Sequence, residues 1–352
     1  MIQIDHVHFY VEDAQRWRDW FVNCLGFEVV TGAIFPQLFL NQNALHTCTE
    51  VVKSGAIYFL LSSPLLPTSP VAEFLRQHPP GVVDVAFAAA NVEELTIKAR
   101  VNGANILQPV QTNFDLKYSQ IAAWGLTHTL IERMVIDSEI SATNGQIFTA
   151  IDHVVLNVGA GDLELAVSWY EKIFDFRPQQ SFNIQTDRSA LFSQVLISRD
   201  GNVQLPINQP ASPNSQIQEF LEVNRGSGIQ HIALKTANLV EAIARLRAAG
   251  LSFLSTPPSY YSQLQQRPGL PLSLAELEAI AQQEILVDWQ DQAPLGALLL
   301  QIFTQPIFSQ PTFFFEFIER RAQATGFGEG NFRALFTAME TEQIKRGIGQ
   351  EA

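Results

Sequence analysis

A chain that contains itself twice has few folds open to it, and this chain does. Ile4-Asp5-His6-Val7-His8-Phe9 is answered by Ile151-Asp152-His153-Val154-Val155-Leu156, 147 positions on (153 minus 6). At the same offset, Gly81-Val82-Val83-Asp84-Val85-Ala86-Phe87, with Ala90-Asn91 and Asn102-Gly103 after it, matches Gly228-Ile229-Gln230-His231-Ile232-Ala233-Leu234, Ala237-Asn238 and Ala249-Gly250. Two separate matches at one offset mark an internal duplication. A third, Trp20-Phe21 and Leu25-Gly26-Phe27 against Trp169-Tyr170 and Phe174-Asp175-Phe176, fits if the second copy has a loop two residues longer. The halves fall at 1–148 and 149–352.

Each half changes period along its length. Residues 151–158 alternate as a strand does, and then Leu163, Ala166, Val167, Tyr170 and Phe174 recur at helical spacing. Strands at 189–198 and 202–207 flank Arg199-Asp200-Gly201, a turn in which glycine supplies the positive φ. The cycle then repeats: a strand at 229–236, a helix at 238–249, and strands at 251–255, 284–288, 296–303 and 312–318. The expected class is α+β, two duplicated domains of two βαβββ modules each, every domain an open, curved, barrel-like sheet around a cavity. The second half is longer through an insertion near 257–295, rich in Pro and Gln, with one helical stretch around 272–283. Such a long insertion reads as a lid or rim.

Composition narrows the partners. Twenty-two Lys and Arg against 35 Asp and Glu give a net charge of −13 with no basic cluster, which excludes nucleic acid and anionic membrane as expected partners. Cys24 and Cys48 are too few for a disulfide framework, and the start has no basic, apolar leader, so a cytoplasmic location is expected. Phe is in excess, 25 beside six Tyr and five Trp, and eight of the 25 fall between 303 and 332.

The first strand of each module runs through the cavity wall, so His153 and His231 occupy matching places and converge. In Phe313-Phe314-Phe315-Glu316-Phe317 a carboxylate stands among phenyl rings, where an unpaired charge would cost several kcal/mol. Two histidines and one carboxylate are the usual facial set for Fe(II) with open positions. The ordinary alternative is a satisfied core histidine, with Glu316 paired to Arg320 or Arg321. In the first half the counterparts are His6, Asp84 and Glu132, so that half is expected to be structural and without metal, although His6, Asp84 and Glu132 together leave a cation site open. His46, His78 and His128 have no counterpart and read as ordinary.

The stretches Gly228 to Leu234, Thr256-Pro257-Pro258-Ser259-Tyr260-Tyr261, Leu299-Leu300-Gln301-Ile302-Phe303-Thr304, Pro311 to Glu316 and Gly326-Phe327-Gly328-Glu329-Gly330-Asn331-Phe332 resemble the 4-hydroxyphenylpyruvate dioxygenase family of the vicinal oxygen chelate superfamily. The resemblance spans essentially the whole chain and is strongest after residue 150. It implies one Fe(II) per chain on His153, His231 and Glu316. It also implies a substrate pocket of Ser193, Asn208, Gln216, Gln230, Gln301, Phe303, Phe314, Phe327, Asn331 and Phe332. The implied reaction converts 4-hydroxyphenylpyruvate and O2 to homogentisate and CO2 by oxidative decarboxylation, ring hydroxylation and side-chain migration, in tyrosine catabolism or in quinone and tocopherol supply. The implied assembly is a homodimer or homotetramer. 4-Hydroxymandelate synthase, and a superfamily member that only binds a small molecule, are the alternatives. Period-two alternation puts Gln301 with Phe303 and Phe314 with Glu316 on shared faces, and turns Gln230 away from His231. The glycines of 326–332 and the helical 334–345 read as a C-terminal gate. The turn Trp289-Gln290-Asp291-Gln292-Ala293-Pro294 before the Gln301 strand departs from the family pattern by its length, at the rim.

Overall fold

A computed structural model describes residues 2–30, 46–113, 116–133, 145–186, 188–289, 294 and 296–346. The first half holds β1 (Ile2–Tyr10), α1 (Ala14–Leu25), β2 (Glu28–Val29), β3 (Thr47–Ser54), β4 (Ile57–Pro64), α2 (Pro70–Gln77), β5 (Gly81–Ala89), α3 (Val92–Val101), β6 (Ile106–Asn113), β7 (Leu116–Ala123) and β8 (Leu126–Arg133). The second holds β9 (Ala150–Asn157), α4 (Leu163–Phe174), β10 (Arg177–Gln185), β11 (Ala190–Ile197), β12 (Gln204–Pro210), α5 (Gln216–Asn224), β13 (Gly228–Lys235), α6 (Leu239–Ala248), α7 (Pro258–Gln266), α8 (Leu274–Gln282), β14 (Leu286–Asp288), β15 (Leu298–Phe303) and β16 (Phe314–Arg321). A 3₁₀ turn, Glu329–Asn331, and α9 (Phe332–Lys345) close the chain.

The duplication is visible in the topology. One sheet runs β2-β3-β4-β1-β5-β8-β7-β6 and the other β10-β11-β12-β9-β13-β16-β15-β14, the same order with every strand number raised by eight. Local chemistry repeats too. Asn91 and Asn238 each cap a helix by accepting from the amide of a Glu three residues on, satisfying an otherwise orphaned N–H. Gly26 and Asp175 end α1 and α4 in the same left-handed conformation, φ 71° and 56°. Boundaries differ from the sequence expectation by a few residues. The strand expected at 251–255 reduces to a single bridge from Phe253 to Thr304, and the Pro- and Gln-rich insertion carries two helices, α7 and α8, where one was expected.

Phenylalanine joins the halves. Side chains alternate through 313–317, at the start of β16: Phe314 and Glu316 face the second-half cavity, while Phe313, Phe315 and Phe317 point the other way. The Phe313 ring lies 5.2 Å from Phe9, Phe315 lies 6.0 Å from both Phe21 and Phe59, and Phe317 stacks at 5.0 Å on Phe148. A second contact crosses between α4 and the first sheet, where His128 Nε2 lies 2.8 Å from the Tyr170 hydroxyl and Phe87 lies 5.1 Å from Phe174. His128, read from the sequence as ordinary, is a buried joint between the halves. Burial without a charged partner lowers its pKa to about 4, so it stays neutral. Replacing Phe315 by alanine should cost about 3 to 5 kcal/mol, since it opens a cavity at the centre of this joint. A urea midpoint shift worth less than about 1 kcal/mol would contradict that placement.

Candidate active site

β9 and β13 pair at the middle of the second sheet, and β16 flanks β13. In these registers Ala233 stands opposite His153 on one side and opposite Glu316 on the other. Only a methyl group separates the two longer side chains, and they close over it. His153 Nε2 lies 3.0 Å from Glu316 Oε2, and His231 Nε2 lies 3.6 Å from the same oxygen. All three residues are buried, and their ligand atoms lie within 4.8 Å of one another. Glu316 does not pair with Arg320 or Arg321, the ordinary alternative. Arg320 binds Asp152, and Arg321 binds Glu319 and Glu276.

Two β-bulges set the site. The β13–β9 register slips between Ile229 and His231, making Gln230 an extra residue with a re-aimed side chain. This corrects the alternation argument. Gln230 and His231 both line the cavity, with Gln230 Oε1 3.3 Å from His231 Nδ1. The second slip, between Ala233 and Leu234, leaves Asp152 unpaired in the ladder. Its Oδ1 accepts from His153 Nδ1 at 2.9 Å, which turns Nε2 toward Glu316. Arg320 holds Asp152 through two parallel bonds, Nε to Oδ2 and Nη2 to Oδ1, both 2.7 Å.

Electrostatics follow from this packing. Burial opposes every charge here, yet Glu316 and Asp152 outweigh it at His153 and raise its pKa to about 9. Burial likewise opposes the Glu316 charge, but His153 and His231 bring its pKa down to about 2. His231 is held below its usual value, by burial first. Without a metal the site is therefore a neutral balance of Asp152 and Glu316 against Arg320 and protonated His153.

The residues fit a divalent ion. Facial ligands about 2.1 Å from one ion stand about 3.0 Å apart, the spacing seen between His153 Nε2 and Glu316 Oε2. Since an ion binds only neutral imidazole, it must expel the His153 proton. Metal binding at pH 7 should thus release about one proton, and affinity should rise roughly tenfold per pH unit up to about pH 9. Calorimetry in two buffers of different ionisation enthalpy measures the release; a pH-independent affinity with none would contradict a protonated His153.

The first half corrects one expectation. His6 keeps its place opposite Ala86, and Asp84 occupies the place of His231. The counterpart of Glu316, however, is Thr129 and not Glu132. Phe87 pairs with Leu130 where Leu234 pairs with Phe317, which puts Thr129 beside Ala86. Glu132 instead matches Glu319: each carboxylate accepts the first helical amide of its module, Val92 or Leu239. Thr129 donates its hydroxyl and backbone amide to Asp84. Burial, partly offset by His6 and Thr129, raises the Asp84 pKa to about 6. The described residues bring no metal-ligating trio together here.

The donor atoms open onto a small, partly enclosed cavity of about 90 Å³ with a mostly apolar lining. Ser193, Asn208, Gln216, Gln230, Gln301, Phe303, Phe314, Phe327, Asn331 and Phe332 all line it. Ser193 and Asn208 are cross-strand neighbours of β11 and β12. Gln216 begins α5, and its Oε1 is buried with no partner among the described residues. Sequence reading missed Phe182, Ile184, Leu191, Phe336 and Met339, which complete the apolar wall. The alternation of 182 with 184 was the available signal.

The C-terminal segment closes this cavity. The Phe327 ring lies 5.2 Å from His153, and Phe332 packs at 4.9 Å on Phe182. Gln301 Nε2 donates to Glu316 Oε1 at 2.8 Å and to the Phe327 carbonyl at 3.2 Å, while its Oε1 accepts from Asn331 at 3.0 Å. The insertion anchors the same segment: the Tyr260 hydroxyl reaches Asn331 Oδ1 at 2.7 Å, and the Gly330 amide donates to Asp288. Arg267 in turn binds Asp288 and lies over the Trp289 ring. The rest of the lengthened turn, 290–293 and 295, lies outside the described residues.

Comparison with known proteins agrees with this geometry. The Glyoxalase/Bleomycin resistance protein/Dioxygenase superfamily signature matches residues 150–266. A 4-hydroxyphenylpyruvate dioxygenase of Coccidioides posadasii is 36% identical over 97% of this chain and 93% of its own. This chain belongs to the 4-hydroxyphenylpyruvate dioxygenase family. The Caenorhabditis elegans member is 34% identical over 98% of the chain and 93% of its own length. A mutant 4-hydroxymandelate synthase from Streptomyces coelicolor superposes with a TM-score of 0.83 at 26% identity, covering 97% of this chain and 98% of the other. The chain is thus a dioxygenase-superfamily enzyme of the vicinal oxygen chelate fold. Among its described residues no helix is long and apolar enough to cross a membrane.

Proposed function

We propose that this enzyme converts 4-hydroxyphenylpyruvate and O2 to homogentisate and CO2, with Fe(II) held by His153, His231 and Glu316. The observation that carries the reading is the wall beside the donors. Phe314 stacks on His231 at 4.7 Å, and Phe303 meets Phe314 at 6.2 Å and 73°. An aromatic ring carried next to a metal needs such a wall, and phenyl groups supply it without a polar atom.

Charge supports an anionic substrate. With a divalent ion bound and His153 neutral, Asp152, Glu316 and Arg320 leave the centre with one excess positive charge, which a 2-oxo carboxylate offsets. When bound, the iron supplies the O2 chemistry, and the 2-oxo acid side chain supplies the electrons through its own decarboxylation. The protein's residues do the rest. Ser193 and Asn208 offer hydrogen bonds from the β11–β12 wall. Gln216 Oε1, buried without a partner among the described residues, accepts a hydrogen bond from the phenol hydroxyl of the substrate. Gln301 fixes the Glu316 carboxylate and the closed segment together. Phe327, Phe332 and Phe336 exclude water.

4-Hydroxymandelate synthase is the competing reading, favoured by the structural likeness. The two reactions start from one substrate and differ in which carbon is hydroxylated, so product identity separates them. Purified enzyme with Fe(II), 4-hydroxyphenylpyruvate and air should consume one O2 per CO2 released and yield homogentisate by chromatography. Hydroxymandelate as the product would overturn the assignment, and absence of O2 uptake would point to a binding protein. A cytoplasmic homodimer or homotetramer remains part of this proposal.

A further inference from the structure

Both halves carry the same brace behind a histidine, and in the catalytic half it also reaches the closing segment. In both, an aspartate at a bulge binds Nδ1 of the next histidine, at 2.8 Å for Asp5 and His6 and 2.9 Å for Asp152 and His153. In both, an arginine at the end of the last strand grips that aspartate. Arg133 Nη2 lies 2.7 Å from Asp5, and Arg320 makes two bonds of 2.7 Å to Asp152. The first half keeps this trio although Asp84 and Thr129 stand where two ligands would be, so the trio alone is a device for bracing the bulge.

The two arginines differ in exposure. The Arg133 side chain is 39% exposed and that of Arg320 9%. Arg320 Nη1 donates to the carbonyl of Gly326 at 2.8 Å and to that of Ala324 at 3.3 Å, the two residues that lead into the closing segment. Its guanidinium carbon stands 5.9 Å from the centre of the Phe327 ring, the ring that covers His153. One rigid plane therefore touches the orienting carboxylate of a donor histidine with two nitrogens and the base of the gate with the third.

We propose that Arg320 is a positioning residue that couples closure of the C-terminal segment to the orientation of His153. When the segment is closed, the carbonyl at 326 fixes the guanidinium plane; the plane fixes Asp152, and Asp152 fixes the imidazole. When the segment opens, a buried N–H loses its acceptor, so opening is opposed as long as Asp152 and His153 keep the plane in place. A planar five-donor fork is suited to this, whereas an ammonium group is a point charge that cannot hold both directions at once. By reciprocity, a metal on His153 must favour closure by the same factor with which closure favours the metal.

The proposal rests on His153 being a metal ligand, and the test separates the two. Hydrogen exchange of amides 326–340 is measured in the full-length protein under argon, with and without Fe(II), for wild type, Arg320→Met and Arg320→Lys. In wild type, metal should slow exchange there by about fivefold or more. In Arg320→Met and Arg320→Lys the slowing should disappear, metal stoichiometry should stay at one per chain, and affinity should weaken by about tenfold. Arg320→Lys keeps the charge and serves if the methionine variant does not fold. Metal that binds and slows exchange equally in wild type and variants would overturn the coupling and leave the ligand assignment intact. No metal binding in wild type would overturn both.

Discussion

Replacing Glu316 by glutamine should abolish metal binding and lower kcat/KM for O2 uptake by at least about 10³-fold, a loss of roughly 4 kcal/mol. The substitution keeps the shape of the side chain and its packing over Ala233. It removes the charge that holds His153 protonated and replaces an acceptor with an amide, whose oxygen or N–H2 must face two imidazole nitrogens 3.0 and 3.6 Å away. An amide is a poor ligand for a hard divalent ion, and two histidines alone leave the facial set incomplete. Thermal denaturation distinguishes site loss from unfolding. Adding Fe(II) under argon should raise the wild-type midpoint, because a ligand that binds only the folded state stabilises it. The variant should melt cooperatively and show no such rise. A variant that still binds iron and turns over near the wild-type rate would show that the carboxylate is not a ligand.

The repeat made much of this site legible. Placing His153 and His231 on matching strands required only the four-module reading, in which each lies on the first strand of a module, and the identical strand orders of the two sheets follow from the duplication at an offset of 147. Glu316 stood out because a charge among phenylalanines demands a partner. What alternation could not show is where it fails. Bulges at Asp152 and Gln230 insert a residue without changing the hydrophobic pattern, so the pattern hides the orienting aspartate and puts Gln230 on the wrong face. Glu132 stands opposite Glu316 at neither offset: the two are 184 positions apart (316 minus 132), whereas the first strands of the halves lie 147 apart and the last strands lie farther apart. The dipeptides Glu132-Arg133 and Glu319-Arg320 carry the true alignment, 187 positions apart (320 minus 133), and point to both arginines. The Phe excess also divides differently from its sequence clustering: half of the run around Glu316 faces the first domain, and only the alternate members reach the cavity.

Gly328→Val is the sharpest test of the C-terminal segment as a gate, and it should reduce kcat/KM by about 100-fold or more while leaving one metal per chain. Gly328 has φ 77°, a conformation β-branched residues strongly disfavour, and a Cβ there would fall 1.8 Å from Gln301 Oε1. Gln301 has little room to yield, since its amide already binds Glu316, the Phe327 carbonyl and Asn331. The segment must therefore lift, and Phe327, Asn331, Phe332, Phe336 and Met339 leave the cavity wall with it. Water then reaches a site whose chemistry depends on its exclusion. Ending the chain at residue 325 should reproduce the loss of turnover and weaken metal affinity by no more than about tenfold, the share transmitted through Arg320. All three ligands lie upstream on β9, β13 and β16, so a truncated protein that folds but binds no iron would show that the segment builds the metal centre and does not gate it. Turnover that survives in both variants would show that the cavity does its chemistry open to solvent, and that residues 326–345 are not a gate.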